Sequence, residues 1–308
     1  MYHKGRGKFV LKASNGIFGK KLKSVILMTR VYTTHIYMGT IISAAMFAGN
    51  FDPLKIALMC LSVCSVLFFV NATNFYTDAE QDRLHPMTKS ENPFTNKILD
   101  KRDLLWISSF YLAMSFLPAV VLGATWVLVV VAYNVIAYTY NFQPFRMKAK
   151  PYGWFLEASL SLPLCFLFPF LVSSSTANFP VWIAVAMIMF YATFAMIVSK
   201  DMPDMVADKS ANDQTFPNVY GLKTTQYVLS GLSLIALTAY GVLVYAGVTS
   251  IYSLPFMFLL TIWILKNIQS EKTLRDRVSV YLRLNVFGIF FIPVVFMFGI
   301  IAKTSLAS

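Results

Sequence analysis

Apolar runs long enough to cross a lipid bilayer follow one another along almost the whole chain. A transmembrane helix needs about 20 consecutive, mostly apolar residues. Nine segments approach or exceed that length: 25–49, 54–77, 103–122, 124–142, 153–173, 179–200, 225–247, 249–266 and 281–302. Runs such as 179–200 are too long for strands, and a membrane barrel would show short alternating segments instead. The expected fold class is therefore all-α: a polytopic membrane bundle of nine transmembrane helices, with a central cavity capped by cytosolic loops. Composition agrees. Only 13% of the 308 residues are charged and the mean hydropathy is +0.62, whereas a soluble domain carries about a quarter charged residues. The expected organisation is a basic cytosolic tail, residues 1–24, followed by one membrane-embedded domain, residues 25–308. The first apolar run is too long for the core of a cleavable signal peptide. Cys60, Cys64 and Cys165 all fall inside apolar runs. Without a further Cys or His to complete a metal set, they read as packing residues.

Charge orients the spans. The net charge of +12 would suit a nucleic-acid binder, but the basic residues are sorted by loop. Of 26 Lys and Arg, 23 lie in the tail or in segments 78–102, 143–152, 200–224 and 266–283. The connections near 50–53, 123, 174–178 and 248 carry none. This is the positive-inside pattern. It predicts a cytosolic N-terminus, four cytosolic loops and a C-terminus on the opposite side. The basic excess then implies contact with anionic headgroups or an anionic substrate, and nucleic acid is not an expected partner.

The 14 acidic residues are clustered. Asn74, Asp78 and Asp82 repeat every four residues, and Asp201, Asp204 and Asp208 are spaced by three and four. Each set shares one face if the helix continues past the bilayer. Like charges at that spacing repel, and a bound cation reverses the sign. Mg²⁺ uses one or two carboxylates together with phosphate oxygens. Two such faces on one side of the membrane would hold a diphosphate through bridging Mg²⁺.

These residues resemble the UbiA superfamily of intramembrane prenyltransferases. Asn74-Phe-Tyr-Thr-Asp78-Ala-Glu-Gln-Asp82 matches the NxxxDxxxD form of its first motif. Lys200-Asp201-Met-Pro-Asp204-Met-Val-Ala-Asp208, followed by Gln214-Thr215-Phe216 and Gly221, resembles the second motif of homogentisate-type and chlorophyll-synthase-like members. Tyr140-Asn-Phe-Gln-Pro144-Phe-Arg146-Met-Lys148, then Gly153, resembles the loop after the fourth span. Arg30 with Thr33 and Gly39-Thr40 resembles the start of the first. The chain departs from the pattern at Val31, at Phe75 and across Ser90-Glu91-Asn92-Pro93-Phe94-Thr95-Asn96, which lacks the family's Arg and Gly.

The resemblance implies a prenyl diphosphate with its tail in the bundle and its head at the cytosolic rim. Asp78, Asp82, Asp201 and Asp204 would be catalytic through Mg²⁺, with Asp208 completing the metal set. Arg30, Asn74, Arg146, Lys148 and Lys200 would bind diphosphate. Tyr138, Tyr140 and Tyr191, with Phe194 nearby, would face the allylic cation or the acceptor, since aromatic faces shelter cations. Glu157, the one carboxylate well inside a span, is either an acceptor-binding group or base, or a neutral structural group. His35 and His85 receive no role. The expected reaction is transfer of an isoprenoid chain to a lipophilic acceptor, an aromatic or quinone-precursor ring. The alternative is a terpene cyclase of the same superfamily, which needs no acceptor. A transporter would need ionisable groups or broken helices near the midplane, and both aspartate sets lie at one rim.

Overall fold

The computed structural model describes residues 16–49, 52–84, 92–150, 152–172, 179–210, 214–270, 288–289 and 291–307, and the regular elements among them are all helical. In chain order they are α1 (Ile17–Met28), α2 (Val31–Phe47), α3 (Pro53–Thr77), α4 (Ala79–Leu84), α5 (Lys101–Leu122), α6 (Ala124–Asn141), α7 (Gly153–Val172), α8 (Phe179–Asp201), α9 (Met205–Ser210), α10 (Phe216–Tyr245), α11 (Leu254–Ile268) and α12 (Phe291–Ala307). His85, Ser90, Glu91, Asp213, Glu271 and Asp276 lie outside the described residues. So do the side chains of Thr33, Glu157, Lys200 and Asp204.

Local signals set most of the boundaries. Asp52 caps α3, its carboxylate accepting from the amides of Leu54 (2.9 Å) and Lys55 (3.3 Å), with Pro53 at the first position. Pro is suited there because its missing N–H would be unpaired in any case. Asp100 and Asp103 form a reciprocal capping box at the start of α5. Gly123, at φ 108°, separates α5 from α6.

The observed boundaries correct several expected ones. The run 25–49 is not one helix. It breaks at Thr29–Arg30, where Arg30 adopts a left-handed conformation, and the boundary drawn at residue 24 falls inside α1. α10 starts at Phe216 rather than near 225, and it carries an irregular residue at Gly221, φ 79° and ψ 161°. α11 is entered through a 3₁₀ turn, Ile251–Ser253. α12 is described from Phe291 onward.

The helices pack as neighbours along the chain and across it. α3 packs on α5 and α6, and α2 on α3, α7 and α12. α7 packs on α8, α8 on α10, α10 on α11, and α11 on α12. Hydrophobicity cannot drive helices together within lipid, so packing and polar side chains do so. Ser62 Oγ donates to Ser115 O (2.6 Å) between α3 and α5, and Ser43 Oγ to Pro293 O (3.3 Å) between α2 and α12. Tyr37 and Ser161 hydroxyls meet at 2.6 Å between α2 and α7. Trp126, Phe166, Phe194 and Phe296 are fully buried. Leu105, Trp106, Phe110, Leu117, Val120, Val121 and Leu128 form an exposed apolar surface on α5 and α6. A surface of that kind suits hydrocarbon rather than water. Pro53–Thr77, Lys101–Leu122, Phe216–Tyr245 and Ile251–Ile268 are each long and apolar enough to cross a bilayer, and Ile183–Ser199 and Phe291–Ser305 are shorter apolar helices. The chain is an all-helical membrane protein.

Candidate active site

The last turn of α3 presents three oxygens to one cation. Lys148 Nζ donates to Asn74 Oδ1 (2.7 Å), Thr77 Oγ1 (3.0 Å) and Asp78 Oδ1 (2.5 Å). Arg146 Nη2 lies 3.4 Å from the same Asp78 oxygen. The Lys148 side chain is only 12% exposed, so its pairing is screened less than that of a surface ion pair.

The loop after α6 delivers both cations. Arg146 is left-handed (φ 32°, ψ 60°) and opens a 3₁₀ turn, Met147–Ala149, that carries Lys148. A non-glycine residue in that region costs about 1–3 kcal/mol, and such residues concentrate at functional sites. Gly153, in the same resembling segment, is where the loop crosses the start of α7. A Cβ there would lie 1.8 Å from Met147 O, a backbone atom that cannot step aside alone. Asn141, at the end of α6, locks this loop's origin to α3 by donating to Val70 O (3.0 Å) and Thr73 Oγ1 (2.8 Å).

Two further predicted residues join the cluster. The Asp78 and Asp82 amides donate to Asn74 O (2.9 Å) and Asp78 O (2.7 Å). The four-residue register thus survives the junction between α3 and α4, as the spacing requires. The Asp82 carboxylate accepts from Asn92 Nδ2 (2.7 Å). Asn92 is fully buried and also donates to Phe75 O (2.7 Å) and accepts from Phe94 N (2.9 Å). The Arg30 guanidinium lies over the Phe75 ring, 4.7 Å from its centroid. Asn71 Nδ2 holds the Arg30 junction by donating to Thr29 O (3.0 Å).

The second aspartate set is built differently. The expected single helical face is interrupted. Asp201 ends α8, a 3₁₀ turn covers Met202–Asp204, and Asp208 lies in α9. Asp208 Oδ2 accepts from Thr215 Oγ1 (3.4 Å), next to Phe216, whose ring meets Phe194 edge-on at 5.1 Å. A hydrogen bond from Leu162 N to Thr193 Oγ1 (3.3 Å) joins the middles of α7 and α8.

The aromatic candidates scatter. Tyr138 is half-exposed and stacks on Phe142 (5.0 Å, 26°), and Tyr140 is half-buried. Tyr191 is buried between α8 and α10, facing Ser233, and Phe194 stacks on Phe190 at 6.1 Å. None of these contacts brings them to the Asp78 cluster. Cys60, Cys64 and Cys165 are buried free thiols, Cys165 Sγ lying 2.8 Å from the Tyr133 hydroxyl. A small cavity lies elsewhere, lined by Ala195, Ser199, Leu229, Ile264, Ile268 and Ile289.

A family model describing UbiA prenyltransferases matches residues 36–300. The chain belongs to the UbiA prenyltransferase family. It is an enzyme of the prenyltransferase class, and both aspartate motifs and the Arg146–Lys148 loop lie within the matched region. None of the proteins with curated function matches in sequence. Solved structures share the fold. A UbiA homologue from Archaeoglobus fulgidus, bound to GPP and Mg²⁺, aligns over 94% of this chain and 100% of its own, with 20% identity and a TM-score of 0.69. The apo structure of a UbiA homologue from Aeropyrum pernix K1 aligns over 89% and 99%, with 17% identity and a TM-score of 0.70. A digeranylgeranylglyceryl phosphate synthase aligns over 92% and 99%, with 19% identity and a TM-score of 0.66.

The UbiA motifs can be tested here against Mg²⁺ by their own donor chemistry. The oxygens gathered by Asn74, Thr77 and Asp78 are an amide, a hydroxyl and a carboxylate, all hard donors of the type Mg²⁺ takes. They already surround a cation, the Lys148 ammonium. Among the described residues no three His, Cys, Asp or Glu side chains converge at metal-ligand distance. The residues fit.

Proposed function

We propose that this chain transfers an isoprenoid group from a prenyl diphosphate to a lipophilic acceptor, an aromatic or quinone-precursor ring, with Mg²⁺. The observation that carries the reading is the convergence of Lys148 and Arg146 on Asp78 and Asn74. Lys148 and Arg146 both reach the Asp78 carboxylate, and among the described residues Arg146 Nε is buried without a hydrogen-bond partner. Two neighbouring cations and the spare Arg146 donor suit an anion of high charge density. GPP and Mg²⁺ in the Archaeoglobus fulgidus homologue are ligands of that protein, and they support the same assignment here.

Mg²⁺, when bound, would neutralise the leaving diphosphate as the allylic C–O bond breaks. Asp78, Asp82, Asp201, Asp204 and Asp208 would hold it. Asn92 keeps the Asp82 carboxylate aimed by bonding it and the Phe75 carbonyl together. Lys148 and Arg146 bind the diphosphate oxygens, with Arg30 and Lys200 as further cations and Asn74 as an orienting group. Their charges are in place before bond breaking, so little reorganisation is needed as negative charge develops. Tyr138, Tyr140, Tyr191 and Glu157 are the candidates for the acceptor side.

The proposed topology is nine spans around a central cavity, with the N-terminus and both aspartate motifs cytosolic and the C-terminus opposite. Cysteines replacing Ser90 and Ser210 should be labelled only from the cytosolic side, and one replacing Thr176 only from the other. Labelling of 90 and 210 from opposite sides would end the shared-site reading. For the chemistry, the purified protein is incubated with geranylgeranyl diphosphate and Mg²⁺, with and without aromatic acceptors. Diphosphate release that requires an acceptor supports transfer. A cyclic hydrocarbon or alcohol formed without one would mean a cyclase instead.

A further inference from the structure

The helix α1, which overlaps the start of the first expected span, is amphipathic. Along α1, Ser24 and Met28 are buried against the protein, and α1 packs on α3. On this side Lys21 Nζ reaches both carboxylate oxygens of Asp103, at 2.8 Å each. Phe18, Leu22 and Ile26, one turn apart, form an apolar stripe that faces outward, with Phe18 77% exposed. Lys20 and Lys23 are exposed on another side, with the exposed Leu27 between them. With 100° per residue, the stripe lies between the protein-facing side and the lysines.

Lys21 ties α1 to the start of a helix with a lipid-facing surface. Asp103, which holds Lys21, begins α5, and the next exposed residues of that helix are Leu105 and Trp106, the latter 67% exposed. Exposed tryptophan beside charged residues marks the membrane–water boundary. A helix with an apolar stripe toward hydrocarbon and lysines beside it has the pattern of an in-plane interfacial helix.

We infer that α1 lies in the plane of the membrane surface and seats on anionic phospholipid headgroups through Lys20 and Lys23. Charge complementarity selects the occupant. Lys21 is already neutralised by Asp103, while Lys20 and Lys23 flank an apolar stripe that a zwitterionic surface would bury without using their charge. A second copy pairing through the same stripe would bring two sets of lysines together. Four more basic residues, Lys4, Arg6, Lys8 and Lys12, precede α1 in the sequence, adding to the attraction. The seat has a consequence at the other end of the helix. α1 runs directly into Thr29 and Arg30, so a seated α1 fixes where Arg30 meets Phe75. The inference is independent of the proposed reaction, and its test uses no turnover.

The natural cysteines are buried, so a nitroxide can be attached to Leu22→Cys or Lys20→Cys in the full chain. The protein is placed in nanodiscs of phosphatidylcholine alone or with about one-third phosphatidylglycerol. Collision with oxygen reports hydrocarbon and collision with a nickel chelate reports water. With anionic lipid, the label at 22 should favour oxygen and the label at 20 the chelate. Each lysine near a charged surface shifts association by about fivefold. Lys20→Gln with Lys23→Gln should therefore cut the anionic-lipid-dependent gain at position 22 by about 25-fold, and added salt should reproduce much of that loss. A label at 22 that meets the chelate freely in anionic discs overturns the inference. So does oxygen preference that is the same in both lipids with and without the lysines, or dipolar broadening between labels, which would mean a second copy.

Discussion

Two polar clusters sit at opposite ends of the bundle and solve different problems. At the end where α3 and α6 finish, Lys148, Arg146, Asn74, Thr77 and Asp78 form a charged cluster. At the other end, where α10 turns into α11, Tyr240 donates to Ser253 Oγ (2.8 Å) and Val295 O (3.3 Å), Ser253 Oγ to Ser250 O (2.5 Å), and Ser250 N to Gly299 O (2.9 Å). The second cluster is neutral, tightly packed and made of short side chains, and it clamps α12 onto the α10–α11 turn. The first is ionic, partly exposed, carried on a left-handed loop residue and left with an unpaired donor. Neutral hydroxyl networks rigidify a packed interface. A partly solvated ionic cluster contributes less to stability and suits the proposed anionic ligand. The difference teaches that buried polarity within a membrane bundle can serve packing alone, and that an ionic, partly solvated cluster is the better candidate for a binding site.

The sharpest way to break this contrast is to disturb each cluster through its glycine. Gly153→Ala must push the Met147 carbonyl, 1.8 Å from the new Cβ, and with it the loop bearing Arg146 and Lys148. Misplacing reacting groups by about 1 Å costs on the order of 100-fold. A loss of that size in kcat/KM for the prenyl diphosphate is expected in the fraction that stays folded, as steady-state kinetics and thermal unfolding in detergent will show. Unchanged kinetics would detach the loop from the site.

Gly299→Ala should behave in the opposite way. Its Cβ would lie 2.8–2.9 Å from Ser253 Oγ, Thr249 Cβ and Tyr240 Oη. Overpacking of this kind costs about 1–3 kcal/mol. The unfolding midpoint should fall while the Mg²⁺ dependence of the folded fraction stays unaltered. A selective loss of diphosphate affinity would show that the two ends are not separable.

The smallest effect belongs to Asp100, at the rim but outside the cluster. Hydrogen bonding from the Asp103 amide, helped by that of Arg102 and the charge of Lys21, holds its carboxyl below the usual carboxylate range. A depressed folded pKa stabilises above the unfolded value and is lost as pH falls through the folded one. Asp100→Asn, which retains the N-cap acceptor, should leave neutral-pH stability and kcat unchanged and remove a small part of the acid-side loss. A drop in kcat would extend the site to the start of α5.

Sequence spacing made the first motif legible. Asn74, Asp78 and Asp82 keep their register because backbone bonds continue across the α3–α4 junction. Arg146 and Lys148, expected to bind diphosphate, are the residues found on Asp78. What the motif hides is what aims it. Asn92, Asn141 and Asn71 are long-range anchors, and an asparagine within or beside an apolar run has no periodicity that reveals its partner. Asn92 lies in the segment that departs from the family pattern, so only its contacts expose its role on Asp82. The repulsion expected among the aspartates is answered at Asp78 by lysine and arginine from a loop some 70 residues away, a pairing that local spacing cannot encode. The break at Arg30 was hidden for a related reason, since hydropathy runs through it. The neutral Tyr240 clamp had no signal at all, because Ser, Thr, Tyr and Gly are ordinary residues of membrane helices.

The central claim is that the Asp78 cluster binds the diphosphate together with Mg²⁺. Equilibrium binding of geranyl diphosphate to the purified protein tests it most directly, measured by calorimetry with Mg²⁺ present and after chelation, for the natural chain and for Asp78→Asn. The substitution keeps the side chain's size and a hydrogen-bond acceptor for Lys148, so the fold should hold. The account predicts Mg²⁺-dependent binding by the natural chain and loss of that dependence in Asp78→Asn, with turnover reduced by about 10²–10³, the scale of losing one electrostatic stabiliser. Equal affinity, equal Mg²⁺ dependence and equal turnover in the two proteins would contradict it.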